Sequence, residues 1–390
     1  MTDEDATLAS ICGHAWSRAA AATARLAGAG FGPGRWPDWA GLAILPVLDK
    51  QVLATLQQAK PPLGGFGTGE AGSLFLSTGG IMEPDLPAAE ERLARYFQCC
   101  GLTPGDVVLN GFSYHLTPAG LLFHGALRRV GCCVLPAGPQ NPDAVLSLAM
   151  RAGVTGFVGI AGHLKLLLTR AEELALQVGR DLPLRLAFAG GEPFGGPIRQ
   201  ELVARHGVAC FDYYGSADLG VVAGETAGQD GFELFDGVVA EVLDPLTHER
   251  LPAGETGHLV LSVDNPTYPL LRLGTGDLAA LTPGPRPRLL GPFGRVDSSA
   301  RVRGLLLYER QVKEALASHP AIRGGWVEVD RQNGRDGLAA TLLVDPAAWD
   351  AAQVAFQGAF QAACRLSVDT VVPASGATPD GPALRDLRAR

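Results

Sequence analysis

The chain has 390 residues, of which 47% are hydrophobic and 18% charged, and its formal net charge at pH 7 is −8. Apolar residues in this proportion provide a large core and exclude extended disorder. The acidic balance argues against a nucleic-acid partner, because binding to phosphate backbones needs a basic face. At this length we expect a main domain and a smaller second domain.

The cysteines and the N-terminus bear on the compartment. The seven cysteines include two adjacent pairs, Cys99-Cys100 and Cys132-Cys133, and this spacing is typical of neither a disulfide framework nor a zinc site. The first residues, "MTDEDATLASICGHAW", contain no basic region followed by an apolar one, and no apolar run reaches membrane length. These features predict a cytoplasmic protein without a membrane partner.

Strands and helices alternate through the first half of the chain. The alanine-rich residues 5–30 predict a helix that ends on glycines, and Pro87 and Gly101 bound a second helix over 86–101. The segments that follow are "DVVLNGF", a helix in "AGLLFHGALRRVG", "CCVLPAG", a helix near 141–152, "GFVGIAG", a helix near 163–178 and "LRLAFAGGEP". This alternation predicts a largely parallel sheet covered by helices.

The pattern changes twice towards the C-terminus. From about Phe235 it consists of strands and turns, and after "FGRVDSS" it predicts helices near 308–318 and 347–365 with two strand-like runs between them. We therefore predict an α/β fold with two domains. The large N-terminal domain, with parallel sheets, helices and a β-rich portion, covers residues 1–294, and a small α+β domain covers 295–390.

The stretch "LFLSTGGIMEPD" has the character of a phosphate-binding loop. A short apolar strand runs into hydroxyl groups and unhindered backbone amides, which are groups that bind phosphate oxygens. The loop consists of Ser77, Thr78, Gly79 and Gly80. No lysine follows it, and Glu83 and Asp85 stand close by, where they would repel phosphates unless they point away.

Five motifs resemble, in their order and spacing, the core motifs of the acyl- and aryl-adenylating enzymes, with phenylacetate-CoA ligases the nearest likeness. They are the 77–80 loop, "FAGGEPF", "YYGSADLG", "LLRLGTGDLA" and "FGRVDSSARVRG", and the likeness extends over about residues 70 to 390. The resemblance implies an AMP-forming acid–thiol ligase that uses ATP and Mg²⁺. Its partners would be a small, preferably aromatic, carboxylic acid and CoA or a carrier protein, while a homodimer is left open.

The motif "YYGSADLG" supplies most of the implied site. Tyr213 and Tyr214 would bind the purine together with Gly215, and Gly215 and Ser216 would also line the acid pocket. Asp218 takes the place of the family's glutamate and would act as a catalytic residue and Mg²⁺ ligand, because its oxygens suit a hard cation. The alternative is a turn aspartate that caps a following helix.

Two further positions are assigned to the nucleotide. Asp277 in "RLGTGDLA" would accept both ribose hydroxyls, although a tight-turn aspartate explains it too. Arg295 would contact the nucleotide and act in catalysis, and Asp297 would be the hinge between domain orientations. A surface salt bridge is the alternative for Arg295.

Two segments would line the adenine and the acid. The adenine turn comprises Gly190, Gly191, Glu192 and Pro193, for which a plain strand-to-helix turn is the alternative explanation. The acid pocket would include Phe112, Tyr114 and His115, whose aromatic rings suit a planar apolar acid. Ordinary core packing uses the same residue types.

The chain departs from the family pattern at both expected lysines. The loop lysine is absent, and in "TPDGPALRDLR" Pro382 stands where the family has its C-terminal lysine. Arg385 is our candidate for the replacement catalytic cation, with Arg388 close by, although a guanidinium group differs in geometry from an ammonium group.

Three functions follow from these observations. The first is adenylation of an acid to an acyl-AMP, followed by transfer of the acyl group to a thiol. The second is a degenerate member that binds nucleotide or acyl substrate without efficient adenylation and serves as a binding or acyl-transfer module, which the missing lysines favour. The third, an unrelated dinucleotide-dependent enzyme, predicts a G-x-G-x-x-G at the first strand-to-helix turn, where none occurs.

Overall fold

The computed structural model describes residues 3–77, 80–192, 194, 196–226, 228–296, 299–303, 305–332, 335–374 and 381–388. The predicted site residues Thr78, Gly79 and Pro193 and the predicted hinge residue Asp297 lie outside these ranges. The chain divides into two compact units. Unit 1 comprises Met1–Glu255, Leu259–Thr275 and Ala280–Leu290, and unit 2 comprises Thr256–His258, Gly276–Ala279 and Gly291–Arg390.

The elements are numbered in chain order. The α-helices of the described residues are α1 (Asp3–Arg18), α2 (Ala20–Gly28), α3 (Lys50–Ala59), α4 (Pro87–Cys99), α5 (Ala119–Val130), α6 (Pro142–Ala152), α7 (Ala161–Glu173), α8 (Gly196–His206), α9 (Glu309–Leu316) and α10 (Trp349–Cys364). Their β-strands are β1 (Leu74–Leu76), β2 (Met82–Pro84), β3 (Val107–Asn110), β4 (Cys133–Leu135), β5 (Gly156–Gly159), β6 (Leu186–Ala189), β7 (Ala209–Ser216), β8 (Gly220–Glu225), β9 (Phe232–Leu234), β10 (Val238–Leu243), β11 (Gly257–Val263), β12 (Leu273–Leu281), β13 (Arg288–Arg295), β14 (Ser299–Val302), β15 (Leu305–Tyr308), β16 (Ile322–Gln332), β17 (Arg335–Val344), β18 (Thr370–Pro373) and β19 (Leu384–Asp386).

Unit 1 is built on a long mixed sheet. Its strand order is β10-β11-β12-β13-β9-β8-β7-β6-β5-β3-β4, and β12 and β13 continue along the chain into segments of unit 2. The five strands β7, β6, β5, β3 and β4 run parallel, whereas β8 and β9 pair antiparallel. The predicted α/β fold class is therefore confirmed, and the sheet as a whole is mixed, with its parallel strands at one end of the strand order.

The parallel strands are short apolar runs separated by helices with clear end signals. Helix α4 begins with Pro87 in its first turn, and α6 is capped by Asn141, whose side chain accepts a hydrogen bond from the backbone N–H of Asp143 at 3.0 Å. Helix α5 ends at Gly131, which adopts a left-handed conformation. Strands β5 and β6 are buried along their whole length.

The helix predicted over residues 5–30 is wrong in one respect. The segment forms two helices, because Ala19 adopts an extended conformation with φ −131° and ψ 114° between α1 and α2. The tertiary contacts explain the break: Ala19 is buried, and the neighbouring Ala21 N–H bonds to the carbonyl of Gly65 at 3.1 Å. Packing therefore overrides the helix propensity of an alanine-rich run.

Unit 2 has its own sheet and core. The sheet order is β18-β17-β16-β19, in which β16 and β17 are antiparallel and the outer strands pair parallel to them. Helices α9 and α10 contribute Val312, Phe356 and Phe360 to a core that also contains Val327 and Leu342 of the sheet. The predicted boundary between residues 294 and 295 stays a prediction.

Candidate functional site

The predicted residues of unit 1 gather at one edge of the parallel sheet. Phe112 lies two residues beyond β3, Gly190 directly follows β6, and Ser216 ends β7. Because these strands run parallel and are neighbours or near neighbours, their carboxyl ends meet at the same edge. In open α/β sheets this edge is where ligands bind.

Gly190 permits a close approach between two of the motifs. A Cβ atom at this position would lie 1.9 Å from the ring of Tyr213, a distance that no packed side chain tolerates. Tyr213 is buried and its ring centroid lies 5.2 Å from that of Phe123, while Tyr214 is 6% exposed. Both tyrosines are therefore mainly packing residues in this structure, and their contact with a purine stays a prediction.

Asp212, which the sequence analysis did not single out, holds Phe194 next to the predicted adenine turn. The backbone N–H of the buried Phe194 donates to both oxygens of Asp212, at 3.0 and 3.3 Å. Arg199 neutralises Asp212 at 2.8 Å. Glu192 is exposed, and its carboxylate accepts a bond from the N–H of Gly162 at 3.3 Å in the first turn of α7.

The turn after β7 is tightly specified. Gly215 sits at a register shift between β7 and β8, where a Cβ atom would lie 2.5 Å from the carbonyl oxygen of Gly220. The Ser216 hydroxyl is buried and has no hydrogen-bond partner among the described residues. Strand β8 begins at Gly220, so the alternative of a helix capped by Asp218 is wrong.

Asp218 forms an ion pair with a lysine that no motif contains. The ammonium nitrogen of Lys50 lies 2.6 Å from Asp218 Oδ2, and the side chains are 32% and 1% exposed, respectively. Asp218 Oδ1 is buried without a partner in the described part of the chain. Lysine is rare in this chain and occurs four times, at positions 50, 60, 165 and 313. This rarity is the one feature of the sequence that could have drawn attention to Lys50.

Glu83 is a second carboxyl group in the same place. It is fully buried, and burial, followed by the charge of Asp218, raises its pKa to about 8. The nearby Ser77 hydroxyl and Lys50 oppose this shift to a smaller degree. Asp85 instead accepts bonds from the backbone N–H groups of Gly72 and Ser73. Neither acidic residue thus presents a free charge to the loop at 77–80.

The described residues at the two ends of that turn are hydrogen-bonded to each other. The N–H of Ser77 donates to the carbonyl of Ile81 at 2.9 Å, and the N–H of Gly80 donates to the carbonyl of Ser77 at 3.1 Å. Gly80 has φ 77°, a left-handed value that favours glycine. The antiparallel pairing of β1 with β2 positions this turn.

The aromatic segment after β3 is organised by Asn110. This fully buried residue donates from Nδ2 to the Tyr114 hydroxyl and to the carbonyl of Gly120, both at 2.9 Å. The Tyr114 hydroxyl also lies 3.2 Å from His124 Nδ1, and burial raises its pKa to about 12. Phe112 packs on Phe123 at 4.7 Å, as the core-packing alternative expects, and His115 is exposed.

A cavity of about 240 Å³ lies between α4, α5 and the β1–β2 hairpin. Its wall is mainly apolar, with Phe75, Leu121 and Leu122, and it carries the polar side chains of Glu90 and His124. Ala217 of the "YYGSADLG" motif also lines it, whereas the five predicted pocket residues are not among the described residues of its wall.

In unit 2, Asp277 and Arg295 come together. Arg295 Nη1 lies 2.9 Å from Asp277 Oδ1, and the side chains are 50% and 21% exposed. Gly276, with φ 79°, permits this, because a Cβ atom there would lie 2.4 Å from Arg295 Nη2. The salt bridge expected as the alternative for Arg295 is thus present, and its partner is the other predicted nucleotide residue.

Arg385 is held against the sheet of unit 2. Its guanidinium carbon lies 4.3 Å from the ring centroid of Trp326, and Nη1 is 3.7 Å from Glu328 Oε1. Its Nε donates to the carbonyl of Pro382 at 3.3 Å. The guanidinium group therefore lies beside the position where the family has its lysine. Arg388 is engaged by Asp386 and Asp336.

The described residues fit a divalent cation at the Asp218 cluster. Mg²⁺ takes oxygen ligands, and Asp218 Oδ1 and both oxygens of Glu83 are buried without a hydrogen-bond partner in the described ranges. Asp218 Oδ2, in contrast, already carries the Lys50 ammonium group. Within these ranges, no helix combines the length and apolarity needed to cross a membrane.

The observed features are an α/β sheet with glycine-containing turns at its carboxyl edge, two buried carboxyl groups and a mainly apolar cavity. The family described as AMP-binding enzyme matches residues 93–267. The chain is 29% identical over 245 residues to the phenylacetate-coenzyme A ligase of Pseudomonas putida, which is 60% of this chain and 55% of that protein. It is 30% identical over 270 residues to the enzyme of Thermus thermophilus, which is 65% of this chain and 60% of that protein.

A solved structure shows the same fold. It is an open conformation of 2-hydroxyisobutyryl-CoA ligase in complex with 2-HIB-AMP and CoA, with a TM-score of 0.85, 22% identity, and coverage of 98% of this chain and 91% of that one. The chain is thus similar to adenylate-forming enzymes, among them phenylacetate-CoA ligases. The matched regions span 55% to 60% of the length of these two curated relatives.

Proposed function

We propose that the protein is an AMP-forming acid–thiol ligase. A carboxylate oxygen of the acid attacks the α-phosphorus of ATP, the bond from that phosphorus to the bridging oxygen breaks, and pyrophosphate leaves. A thiolate, from CoA or a carrier protein, then attacks the acyl carbon and releases AMP. The curated relatives named as phenylacetate-coenzyme A ligases support this activity, and we infer the same reaction class here.

The observation that carries the proposal is the buried cluster of Asp218, Glu83 and Lys50 beside Ser77. Asp218 Oδ1 and both oxygens of Glu83 are buried without a partner in the described ranges, and clustered buried carboxyl groups with a shifted pKa are typical of functional sites. We propose Asp218 as the Mg²⁺ ligand, with Mg²⁺ neutralising charge on the phosphates when it is bound. We propose that the loop at 77–80 contacts the phosphates.

We assign the remaining nucleotide contacts residue by residue. Asp277 would accept the ribose hydroxyls, and Arg295, which holds its Oδ1, would orient that carboxylate and contact the nucleotide. Gly190, Gly191 and Glu192 would form the adenine turn. Its rigidity is supported by the bonds from Phe194 to Asp212.

We propose a small carboxylic acid as substrate, aromatic by analogy with the relatives' name. The cavity of about 240 Å³ is below the roughly 300 Å³ at which pockets for drug-sized ligands begin, so it favours a small acid. Its apolar wall suits a ring or short chain, and the neighbouring Tyr114–His124 pair lies at its border. A cytoplasmic location is supported by the seven free cysteines.

Calorimetry and pyrophosphate release test this function. The protein should bind ATP in the presence of Mg²⁺, and a panel of aryl and short aliphatic acids should identify one that releases pyrophosphate. Asp277→Ala should weaken ATP and AMP binding, because it removes both ribose acceptors, whereas Asp336→Ala provides a control aspartate of unit 2 that is bonded to Arg303 and Arg388. Unchanged affinity in Asp277→Ala would remove the ribose assignment.

A second candidate function is binding of nucleotide or acyl substrate without efficient adenylation. Pro382 favours it, because proline contributes neither a charge nor a side-chain donor at the family's lysine position. This function predicts ATP or AMP binding with no pyrophosphate release for any acid of the panel, and the same two measurements therefore separate the candidates.

A further inference from the structure

We propose that Lys50 is a phosphate-binding residue, and that it supplies the positive charge which neither the 77–80 loop nor Pro382 provides. This assignment rests on the proposed nucleotide site and adds a residue to it from outside the superfamily motifs. The ligand class is a nucleotide polyphosphate or its pyrophosphate product.

The fold determines the position of Lys50, because contacts within the protein fix the helix that begins with this residue. Lys50 is the first residue of α3, and this helix is fastened at Gln57, whose side chain donates to the carbonyl of Met82 at 2.7 Å and accepts from its N–H at 2.8 Å. Gln57 also donates to the hydroxyl of the buried Tyr268 at 2.9 Å. The helix is therefore fixed to strand β2, one residue from Glu83.

The same strand links Lys50 to the loop. Glu83 pairs with Phe75 across the β1–β2 hairpin, and β1 leads directly into Ser77. Lys50 contacts Asp218 at 2.6 Å, and its helix α3 is bonded through Gln57 to Met82, the residue before Glu83. The helix that begins with Lys50 and the hairpin that contains Ser77 at the end of its first strand are therefore fastened together.

The exposure of the ion pair is asymmetric. Asp218 is 1% exposed, whereas Lys50 is 32% exposed, so the lysine covers a buried carboxylate and keeps part of its side chain open to solvent. An ammonium group has three N–H donors, and the described structure gives it one partner, Asp218. Any group that neutralises Asp218 makes all three donors available to phosphate oxygens.

The choice of lysine is itself informative. Lysine accounts for four of the 32 Lys and Arg residues of this chain, so arginine is the usual basic residue here. A compact ammonium charge fits against a buried carboxylate, where a planar guanidinium group needs more room.

The test measures binding of inorganic pyrophosphate and of AMP by calorimetry in EDTA, where no metal supplies positive charge. The variants are Lys50→Met, Asp218→Asn and the double variant Lys50→Met/Asp218→Asn. The double variant removes the unpaired buried carboxylate that would destabilise Lys50→Met alone. Lys60→Met, at the other end of α3, is the matched control.

We expect pyrophosphate to bind wild type and Lys60→Met equally, and Asp218→Asn at least as tightly. Lys50→Met and the double variant should bind it about 10- to 100-fold more weakly, the loss expected for one charge-assisted contact. A double variant that binds like Asp218→Asn would overturn the assignment. So would wild-type protein that binds ATP with Mg²⁺ but binds no pyrophosphate in EDTA.

A different result would contradict the proposed function itself. Wild-type protein that binds neither ATP with Mg²⁺ nor AMP removes the nucleotide site, and the Lys50 assignment with it. If wild-type protein binds both ligands and Lys50→Met binds pyrophosphate with unchanged affinity, only the Lys50 assignment is removed.

Discussion

Two carboxyl groups of the site, those of Asp218 and Glu83, are neutralised in different ways. Asp218 pairs with the ammonium group of Lys50 at 2.6 Å. Glu83 is fully buried, and burial raises its pKa to about 8, so that its carboxyl group is protonated at neutral pH. Burial of two acids in one place is thus compatible with stability because one is paired and the other is uncharged.

Glu83 should make the free energy of unfolding depend on pH. Its pKa is about 8 in the folded state and 4.5 as the ordinary value, so the folded state binds more protons between these pH values. The stabilisation from the protonated carboxyl group is complete below pH 4.5 and is lost as pH rises through about 8. Relative to Glu83→Gln, wild type should lose up to about 1.4 kcal/mol per pH unit in this window.

Urea unfolding of both proteins at several pH values between 5 and 9 measures this difference. Glu91→Gln, a substitution at an exposed position of α4, serves as the control and should show no such trend. A constant difference between wild type and Glu83→Gln across the range would show that Glu83 is ionised in the folded protein.

Pro382 gives a second prediction at the scale of single residues. Pro382→Lys should accelerate pyrophosphate exchange, because an ammonium group there stabilises the transition state by about 1 to 3 kcal/mol, which corresponds to roughly 5- to 150-fold. Pro382→Met adds a side chain without charge and should leave the rate unchanged. The measurement includes Arg385→Ala, because Arg385 donates to the carbonyl of Pro382.

The Arg385→Ala result decides between two cations. Brisk exchange in wild type that disappears in Arg385→Ala would mean that the arginine has replaced the lysine, and the prediction for Pro382→Lys would then be wrong. Its stacking on Trp326 at 4.3 Å argues that it serves the packing of β19 on β16 in this structure.

At the scale of elements, Arg272 fastens the segment that precedes α3. Its side chain is 2% exposed, donates to the carbonyl groups of Ala43 and Leu45, and pairs with Glu241 at 2.8 Å. Leu48 then bridges to Leu273 of β12, two residues before Lys50. These contacts determine where α3 begins and hence where the Lys50 ammonium group lies.

Arg272→Met should therefore destabilise the protein by about 3 kcal/mol, because it removes the donor to the carbonyl groups of Ala43 and Leu45 and one of the two partners of the buried Glu241. Arg250 is the other partner, also at 2.8 Å, and Arg250→Met is the matched comparison. Since Arg250 is more exposed and stacks on Trp39, its loss should cost less. Chemical denaturation measures both, and an equal cost for both substitutions would contradict the fastening role of Arg272.

At the scale of the whole molecule, the chain forms two compact units, each with its own core. Val158 and Phe188 belong to a core of unit 1, and Val327 and Phe356 belong to that of unit 2. The main segment of unit 2 starts at Gly291, and short segments at 256–258 and 276–279 join it. Unit 2 therefore includes two short segments that precede its main segment in the sequence.

Limited proteolysis tests the boundary proposed at Arg295. Arg295 is half exposed and ends β13, so trypsin should cleave the native protein first within 290–305. Mass spectrometry should detect a stable C-terminal fragment, and Arg295→Gln should slow its appearance. Denatured protein, cleaved at all basic positions, is the control. No early cleavage in this segment, with cleavage elsewhere, would make the boundary wrong.

The local sequence was sufficient to predict the parallel strands and helices such as α4, α6 and α10. It also contains the motifs that resemble those of the superfamily, in the same order. These features depend on neighbouring residues: apolar runs, a Pro or Asn at a helix start, and glycines where the chain turns. The motifs singled out Asp218, which precedes β8, and Asp277, which lies in β12. Their roles toward a nucleotide stay predictions.

Only the tertiary structure decided which charges meet. Lys50 and Asp218 are 168 positions apart, and no local pattern connects them. Glu83 looked like a surface acid that would repel phosphates, but packing buries it and changes its protonation. The break at Ala19 likewise depends on a contact with residue 65. Burial and long-range pairing depend on how elements pack, because desolvation and Coulomb energies are properties of the assembled site and not of the chain segment.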